Sequence, residues 1–393
     1  MKNLFTAFLV LLAAGGMFLM VSCDGSSPAV RLAFYTSTDG PADFSSWPDA
    51  SGRGLSGLDA ADAICNARAA AAGLVGNFVA WLSDDADDAY CRIHGLTGKK
   101  AGNCGQADLP VSAGPWFRTD GQPFSGGIDD LVTSRVIYHP VKTDEFGSTF
   151  DLFEAYWTGT DQNGVLELDN CSNWSDSTSA GTINIGGTYA TVFRFTEGLN
   201  TLSCSNDFHL LCLETGSNNV SPAPADTGLI VFISSTSGNG NLGSWAQAGG
   251  ETGILAGDNI CQELASTSGL SNPGSFKAWL SDSTTDARDR LVSDGPWVRV
   301  DGVQVAANRS ALISSWLQTS IAVTEEGDYV WRGVWTGTLQ GGTKSASACS
   351  DWNLGIGSAG QHGDTSYIDD KNWTESPEPP ACSSSFGLYC FED

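Results

Sequence analysis

Basic residues are scarce in this chain of 393 residues. Only 19 Lys and Arg residues stand against 45 Asp and Glu residues, which gives a formal net charge of −26 at pH 7. A surface of this sign repels the phosphate backbone of nucleic acids and the head groups of anionic lipids, so we exclude both as partners. We interpret the acidic side chains as a solvated surface, with divalent-cation binding as the alternative.

Histidines are also few, and the sequence lacks the common catalytic motifs. The chain has four histidines: His94, His139, His209 and His362. Neither a Gly-x-Ser-x-Gly nor a His-Glu-x-x-His motif occurs. The sequence also has no Cys-x-x-Cys pair of the kind that binds zinc. We therefore expect a protein that is not an enzyme, with no catalytic residue and no metal ligand.

Beyond its N-terminus the chain has no apolar run that approaches the roughly 20 residues needed to cross a bilayer. The one long run, LFTAFLVLLAAGGMFLMVSC at 4–23, follows Lys2 and ends at Cys23. Because the residues MVS precede this cysteine as in a lipobox, we predict a lipoprotein signal peptide at 1–22 and lipidation of Cys23. An ordinary cleaved signal and a retained membrane helix are the alternatives.

The predicted anchor implies a location. Residues 23–30 are expected to form a lipidated tether, and the protein is expected in the bacterial cell envelope, held to the membrane by its lipid alone. Asp24 signals retention in the inner membrane in some bacteria but not in all, so the choice between inner and outer membrane stays open. The expected position is the outer membrane and cell surface, or one that faces the periplasm. Export also supplies an oxidising compartment in which the remaining cysteines can form disulfides.

The cysteine pattern occurs twice. Each copy has a lone cysteine followed by a trio: Cys65, Cys171, Cys204 and Cys212 in the first copy, and Cys261, Cys349, Cys382 and Cys390 in the second. Within both trios the separations are 33 and 8 residues. This agreement indicates a tandem duplication of a disulfide-bonded domain.

Short segments recur in the same order as the cysteines. In the first copy GNFVAWLSD (76–84) and GPWFRTDG (114–121) match GSFKAWLSD (274–282) and GPWVRVDG (295–302) in the second. The offset between the copies falls from 198 to 181, so the first copy holds 17 extra residues (198 − 181) between the two segments. The insertion contains Cys91 and Cys104, which have no counterparts, and we expect these two cysteines to pair with each other.

The duplication defines two domains, at 31–214 and 228–393. The Ser/Asn/Pro-rich stretch at 215–227 is predicted to be a linker that is too polar to pack. Each domain begins with a strand, LAFYTS or LIVFISS, followed by an alanine-rich helix at 57–73 or its counterpart at 257–269. Several strands separated by long loops come next, which is typical of an α+β fold.

The segment GLDAADAICNARAAAAGLVGNFVAWLSD resembles endostatin-like domains. In those domains an alanine-rich helix with one cysteine leads into a Phe-x-Ala-(Phe/Trp)-Leu-Ser strand. The WTGT strands, the Cys-x-x-Trp motifs at 171–174 and 349–352, and the closing SCSNDFHLLCLE at 203–214 follow in the same order. The similarity covers nearly all of both domains and is greatest to bacterial DUF1554-type lipoproteins. It implies an α+β fold of two tandem C-type lectin-like (endostatin-like) domains stapled by disulfides.

The resemblance also implies a disulfide pairing. The expected bonds are Cys65–Cys212 and Cys171–Cys204 in the first domain, and Cys261–Cys390 and Cys349–Cys382 in the second. The long bond of each domain would tie the helix to the last strand, and the short one would clamp a long loop. Each is expected to stabilise its domain by about 3–5 kcal/mol on the chain-entropy description.

If the chain has the C-type lectin-like fold, calcium is the cofactor to consider. Its lectin members bind sugars through calcium with Glu-Pro-Asn or Gln-Pro-Asp, followed by Trp-Asn-Asp. The nearest sequences here are EPP at 378–380 and DWN at 351–353, and both depart from that pattern. We therefore expect no cofactor, and calcium is the alternative.

Tryptophans without a counterpart in the other copy are the candidates for ligand contact, because binding surfaces are enriched in Trp and Tyr. The unmatched ones are Trp245, Trp316, Trp331 and Trp373. Trp373 lies in the Cys349–Cys382 loop beside Asp369, Asp370 and Asn372, and these four residues form the predicted ligand site.

The sequence thus predicts a non-catalytic, lipid-anchored envelope protein that recognises a glycan or a matrix glycoprotein, in the manner of an adhesin. Two units in tandem could gain avidity if both reach one ligand. A structural or assembly protein that binds another bacterial protein is the alternative from a different class. An enzyme on a lectin-like fold is a third, although the reactive cysteine pair of such enzymes has no evident match here.

Overall fold

The computed structural model describes residues 30–149, 154–167, 169–220 and 222–393. The predicted signal peptide, Cys23 and the tether up to residue 29 lie outside the described residues. In the described ranges, no helix has both the length and the apolar character needed to span a membrane. We refer to residues 31–214 as the first unit and to residues 228–393 as the second unit.

The first unit contains a mixed sheet of eight strands. They are β1 (Arg31–Tyr35), β2 (Phe78–Ala80), β3 (Trp116–Arg118), β4 (Pro123–Ser125), β5 (Ala155–Trp157), β6 (Ala180–Gly187), β7 (Gly198–Ser203) and β8 (His209–Glu214). The spatial order is β4-β3-β1-β8-β5-β6-β7, and β2 also pairs with β8. The pairs β1–β3 and β5–β8 are parallel, whereas the closing strand β8 runs antiparallel to β1 at the centre of the sheet.

The second unit repeats this arrangement with seven strands. They are β9 (Leu229–Ile233), β10 (Phe276–Ala278), β11 (Trp297–Arg299), β12 (Gln304–Ala306), β13 (Gly333–Trp335), β14 (His362–Asp364) and β15 (Gly387–Glu392). The order β12-β11-β9-β15-β13-β14, with β10 paired to β15, matches the first sheet strand for strand up to β6. The equivalent topology supports the duplication inferred from the sequence, and helices with mixed sheets give the predicted α+β class.

In the described residues, two long α-helices and three short ones accompany the sheets, besides single 3-10 and π turns. They are α1 (Gly57–Ala71), α2 (Ala89–Arg92), α3 (Gly253–Thr267), α4 (Ala287–Arg290) and α5 (Arg309–Ser314). In α1 the side chains of Leu58, Ala61, Ile64 and Cys65 recur at helical spacing and are all buried. Helix α3 begins at Gly253 rather than at residue 257, because this glycine, at φ +60°, turns the chain into the helix from a left-handed conformation.

Buried side chains cover both faces of each sheet. Along β8 the side chains alternate: Leu210 and Cys212 point to the face that packs against α1, and Leu211 and Leu213 point to the other face. The second face is built around Trp81 and other aromatic residues of the first unit. Each unit therefore has two hydrophobic layers that sandwich one sheet.

Five disulfides fix the units, and they are the five that were expected. They join Cys65 to Cys212, Cys91 to Cys104, Cys171 to Cys204, Cys261 to Cys390 and Cys349 to Cys382. The first and fourth connect α1 and α3 to the closing strands β8 and β15. All bonds lie within one unit, as the duplication requires.

The Cys-x-x-Trp motifs form an uncommon left-handed turn. All four residues of Cys171–Trp174 have φ between 51° and 61°, and those of Cys349–Trp352 have φ between 47° and 64°. The turn directs the indole N–H of each tryptophan into the core, where Trp174 donates to the Ser83 carbonyl at 2.9 Å and Trp352 to that of Ser281 at 2.8 Å. These core bonds hold a conformation that side chains other than glycine rarely adopt.

The connector between the units forms main-chain hydrogen bonds to both of them. Its first residues lie along the first unit, where the Gly114 N–H donates to the Gly216 carbonyl at 2.9 Å. Its last residues lie on the second unit, where the Asp226 N–H donates to the Gly302 carbonyl at 3.0 Å. Main-chain hydrogen bonds thus attach both ends of the predicted linker to the units.

Candidate functional site

The first-choice ligand residue of the sequence, Trp373, is a core residue. Its indole is 2% exposed, with its ring centroid 5.2 Å from that of Trp279 and 5.8 Å from that of Tyr389. Phe195 is its counterpart in the first unit, and the ring centroids of Phe195 and Trp81 lie 6.1 Å apart. Trp373 has no tryptophan counterpart because its equivalent is a phenylalanine, and the prediction that it contacts a ligand was wrong.

The polar residues beside Trp373 form a closed turn. The Asp369 side chain is fully buried and accepts the main-chain N–H groups of Lys371 at 3.0 Å and Asn372 at 2.6 Å. Burial raises the pKa of Asp369 from its ordinary value of 3.8. Asp370 accepts the side-chain amide of Gln340. Because the carboxylates are used for local hydrogen bonds, Asp369, Asp370 and Asn372 do not form the open ligand surface predicted for them.

Acidic loops elsewhere are also satisfied locally. Asp84 accepts the N–H groups of Ala86 and Asp87, and Asp88 accepts the N–H of Lys100 and pairs with the Lys99 ammonium. Within the described ranges, no group of three or more His, Cys, Asp or Glu residues could hold a metal ion. The carboxylates of this loop are thus bonded locally, and Asp88 is buried rather than solvated.

Trp331 is the unmatched tryptophan that the structure exposes. Its side chain is 52% exposed, whereas Trp245 is buried. The Trp331 indole N–H donates to both carboxylate oxygens of Asp364, at 3.1 and 3.2 Å. This bond fixes the orientation of the indole at the surface, just where the second unit meets the first.

The two units meet along a pseudo-twofold seam. Ala190 of the first unit forms an antiparallel bridge with Tyr367 of the second. The Thr191 N–H donates to the Ser366 carbonyl at 2.8 Å, and the Ile368 N–H donates to the Tyr189 carbonyl at 3.0 Å. The seam is thus closed by a pair of reciprocal main-chain hydrogen bonds.

The strand registers show why the seam is symmetric. Gly187 pairs with Ala155 in the first unit, as Asp364 pairs with Gly333 in the second, so Gly187 and Asp364 occupy equivalent positions. Counting on from them, residues 189–191 correspond to residues 366–368. The same stretch of both units therefore contacts its own counterpart, as in an isologous dimer.

A second set of contacts extends the seam into the interior. Both terminal nitrogens of the buried Arg299 donate to the Ile137 carbonyl, at 3.4 and 3.3 Å. On the other side, His139 Nδ1 lies 3.4 Å from the Gln318 carbonyl oxygen. With buried polar groups bonded across it, the seam joins the units into one body.

Aromatic rings from both units gather at the open edge of the seam. We call the following residues the seam cluster: Tyr189, Phe193 and Arg194 of the first unit, and Trp331, Asp364 and Tyr367 of the second. The rings of Tyr189 and Tyr367 are parallel within 2°, with their centroids 5.9 Å apart. Phe193 meets Trp331 edge-on, with the ring centroids 4.9 Å apart. The Arg194 guanidinium carbon lies 5.1 Å from the Tyr367 ring centre and 5.4 Å from that of Phe193.

The cluster borders a small cavity of about 190 Å³. Tyr189, Arg194 and Tyr367 form part of its wall, and Gly186 and Gly187 are also in the lining. A Cβ at Gly187 would approach the Tyr189 ring to 2.6 Å, so a side chain at this position would force Tyr189 to move. The cavity lies below the ~300 Å³ at which sites for drug-sized ligands begin, and suits one small ring or group.

The charges of the cluster are balanced. Arg194 Nη2 lies 3.9 Å from Asp364 Oδ2, and both side chains are partly exposed. Burial raises the pKa of both tyrosines from 10.0, so Tyr189 and Tyr367 are neutral at physiological pH. The cluster thus offers aromatic faces beside one guanidinium and one carboxylate, a combination that can bind a polar ligand with apolar edges.

A second depression, which we call the loop groove, lies in the second unit. It encloses about 630 Å³ next to the Cys349–Cys382 disulfide. Its lining includes alanines at 346, 348 and 359 and serines at 345, 347, 350 and 358, with Lys344 and Asp351 at its border. The left-handed turn at Cys349–Trp352 supplies part of the wall.

No family model matches the chain, and no curated protein is significantly similar to it. Sequence reasoning placed Trp331 among its candidates but missed Tyr189, Arg194, Asp364 and Tyr367. In the sequence, these residues are marked only by lying at equivalent distances after the strands of the two copies. No local sequence pattern predicts that the two units contact each other.

Proposed function

We propose that this protein is a lipid-anchored bacterial envelope protein that recognises a glycan or glycoprotein without catalysis. In this proposal its two units are C-type lectin-like domains of the endostatin-like, DUF1554-type group. The resemblance of the helix, WTGT and Cys-x-x-Trp segments supports the fold. The apolar run that ends at Cys23 supports the anchor and the envelope location.

The observation that carries the recognition role is the seam cluster. Trp331 presents an exposed indole that is held in place by Asp364, with Arg194 and the paired tyrosines next to it. Sugar rings have apolar C–H faces and hydroxyl edges, so an aromatic face beside a guanidinium and a carboxylate is complementary to them. Exposed, fixed aromatic residues also dominate the binding energy of protein interfaces.

The test is to screen the chain from Asp24 onward on glycan and matrix-protein arrays, with and without EDTA. We expect at least one ligand whose binding weakens about tenfold or more in Trp331→Ala, equivalent to about 1.4 kcal/mol. Asp364 keeps its hydrogen bonds from Ser366 in that variant, so the fold is expected to be unchanged. Phe146→Ala is the matched control, because Phe146 is an exposed aromatic residue of the first unit with no part in the seam cluster.

Three outcomes would argue against this proposal in different ways. Absence of binding on both arrays would favour the structural or assembly role. Equal losses in Trp331→Ala and Phe146→Ala would remove the seam cluster as the site. Binding that disappears in EDTA would show that calcium is needed for recognition. We do not expect this result, because the carboxylates of the acidic loops are bonded to main-chain N–H groups and lysines.

A further inference from the structure

Arg194 has hydrogen-bond donors that the fold leaves unused. Its Nε–H group is enclosed by protein atoms and has no hydrogen-bond partner among the described residues. Its Nη2 lies 3.9 Å from Asp364 Oδ2, which is close enough for an ion pair but too far for a hydrogen bond. An enclosed N–H group without a partner is unfavourable, so a ligand atom that accepts from it relieves a cost that the unliganded protein bears.

The carboxylate beside Arg194 is committed to other donors. Asp364 Oδ1 accepts the main-chain N–H of Ser366 at 2.8 Å and the hydroxyl of the same residue at 2.6 Å. The indole N–H of Trp331 donates to both oxygens of Asp364. Because these bonds fix the carboxylate, Asp364 cannot turn toward the guanidinium without losing them.

The guanidinium is held in place at the cavity of the seam cluster. Its carbon lies 5.1 Å from the centre of the Tyr367 ring and 5.4 Å from that of Phe193, both within the distance of cation–π contacts. Arg194 forms part of the wall of the cavity of about 190 Å³, together with Gly186 and Gly187. Glycines have no side chains, so a group that enters the cavity adjoins the guanidinium and the main chain.

A planar carboxylate matches the donors of Arg194. A guanidinium presents its N–H groups as a rigid fork, and one carboxylate can accept two of them at once. A phosphate monoester would bring up to two negative charges close to Asp364. Among the described lining residues of the cavity Arg194 is the one basic side chain, so a second negative charge would have no cation to offset it.

The charge of the whole chain restricts the ligand further. The formal net charge is −26, which repels a polyanion along its length. Charges separated by more than about 8 Å are largely screened at physiological ionic strength. A single carboxylate at the end of a neutral chain therefore meets Arg194 and Asp364 but little of the remaining surface charge.

We propose that the cavity of the seam cluster binds the carboxylate of an acidic sugar at the end of a glycan chain, with the Arg194 guanidinium as the donor. The inference rests on the proposed function and adds the class of sugar. The exposed indole of Trp331 contacts the C–H face of a sugar ring, and Arg194 selects the acidic ring.

The test compares trisaccharides that end in N-acetylneuraminic acid or glucuronic acid with the methyl esters of the same sugars. Binding to the chain from Asp24 onward is measured by isothermal titration calorimetry. The ester keeps the ring but removes the charge, so we expect the acid to bind at least about tenfold more tightly than its ester. Arg194→Gln should abolish this preference and leave binding of the ester unchanged. Arg194→Lys keeps the charge without the fork and should retain part of the preference.

Arg135→Gln is the matched control. Arg135 also has an enclosed Nε without a partner among the described residues, but it does not line the cavity. The variant removes the same charge, so it should keep the preference for the acid. Circular dichroism and thermal unfolding verify that every variant is folded.

The other results separate this inference from the proposed function. Equal binding of acid and ester, weakened in Trp331→Ala, would retain glycan recognition and remove the carboxylate site. A preference that persists in Arg194→Gln would place the carboxylate elsewhere. Tighter binding of a sulfated trisaccharide would assign the cavity to sulfate. Binding of a peptide, lost in its C-terminal amide, without binding of any sugar would assign the cavity to a peptide end. No binding of any of these probes would remove both the inference and the proposed function.

Discussion

His139 provides the sharpest test of the seam between the two units. Its side chain is 3% exposed, and Nδ1 faces the Gln318 carbonyl of the second unit. Burial, together with the positive charges of Arg118, Arg299 and Lys142, lowers the pKa of His139 from 6.5 to about 3. The folded protein therefore keeps this imidazole neutral over a range of pH in which the unfolded chain protonates it.

The sign and size of the effect follow from proton linkage. Above about pH 6.5 the ring is neutral in both states, and His139 adds no pH dependence. Between about pH 6.5 and pH 3 only the unfolded state binds the proton, so acidification lowers the free energy of unfolding by about 1.4 kcal/mol per pH unit. Between about pH 6.5 and pH 4.5 the loss from this group alone is about 3 kcal/mol.

The assay is urea unfolding of the disulfide-bonded chain, followed by tryptophan fluorescence between about pH 7.5 and pH 4.5. Wild type and His139→Gln share all carboxylates, so the difference between their unfolding free energies isolates the histidine. We expect this difference to move by about 3 kcal/mol in favour of the variant as the pH falls. Parallel pH profiles would refute the burial of a neutral imidazole at the seam.

Two further perturbations probe the covalent and the ionic supports of the fold. Replacing Cys91 and Cys104 together by alanine should lower the free energy of unfolding, measured in urea, by about 3 kcal/mol, because the bond closes a short loop with a sequence separation of 13. Thiol titration of the unfolded wild-type chain from Asp24 onward should find no free cysteine. A reactive thiol would contradict the disulfide pairing. Arg299→Met should destabilise the protein by about 3–5 kcal/mol in thermal or urea unfolding, because it leaves the partly buried Asp301 carboxylate without its guanidinium. The double variant Arg299→Met, Asp301→Asn should recover part of that loss. No recovery would mean that the other hydrogen bonds of Arg299, to the Ile137 and Ser320 carbonyls among others, matter more than the ion pair.

The features that the sequence predicted best are those fixed by covalent bonds or by short repeating patterns. The cysteine spacing identified the duplication, and the resemblance gave a pairing that the structure confirms. The apolar spacing of 57–73 gave α1, because burial of one helical face requires that spacing whatever the tertiary contacts are.

The site was harder to predict for two physical reasons. Comparison of the two copies does not identify Trp373 as a core residue, because its counterpart Phe195 fills the same space with a different ring. Packing selects side-chain volume rather than residue identity. The seam cluster takes its residues from both units. Neither unit alone contains the pairing of Tyr189 with Tyr367, so no pattern within one copy could have indicated it.

The pseudo-twofold seam changes what the duplication means for binding. Two tandem domains on a flexible linker could act as independent sites and gain avidity. Here the units share reciprocal main-chain hydrogen bonds, and the connector lies along both of them, so they act as one body. Equivalent positions near the seam have diverged: Gly187 of the first unit lines the cavity, whereas its counterpart Asp364 orients Trp331. A symmetric dimer of identical chains could not place a glycine and a carboxylate at the same position, so the fused pair forms an asymmetric cluster of side chains that neither copy could form with itself.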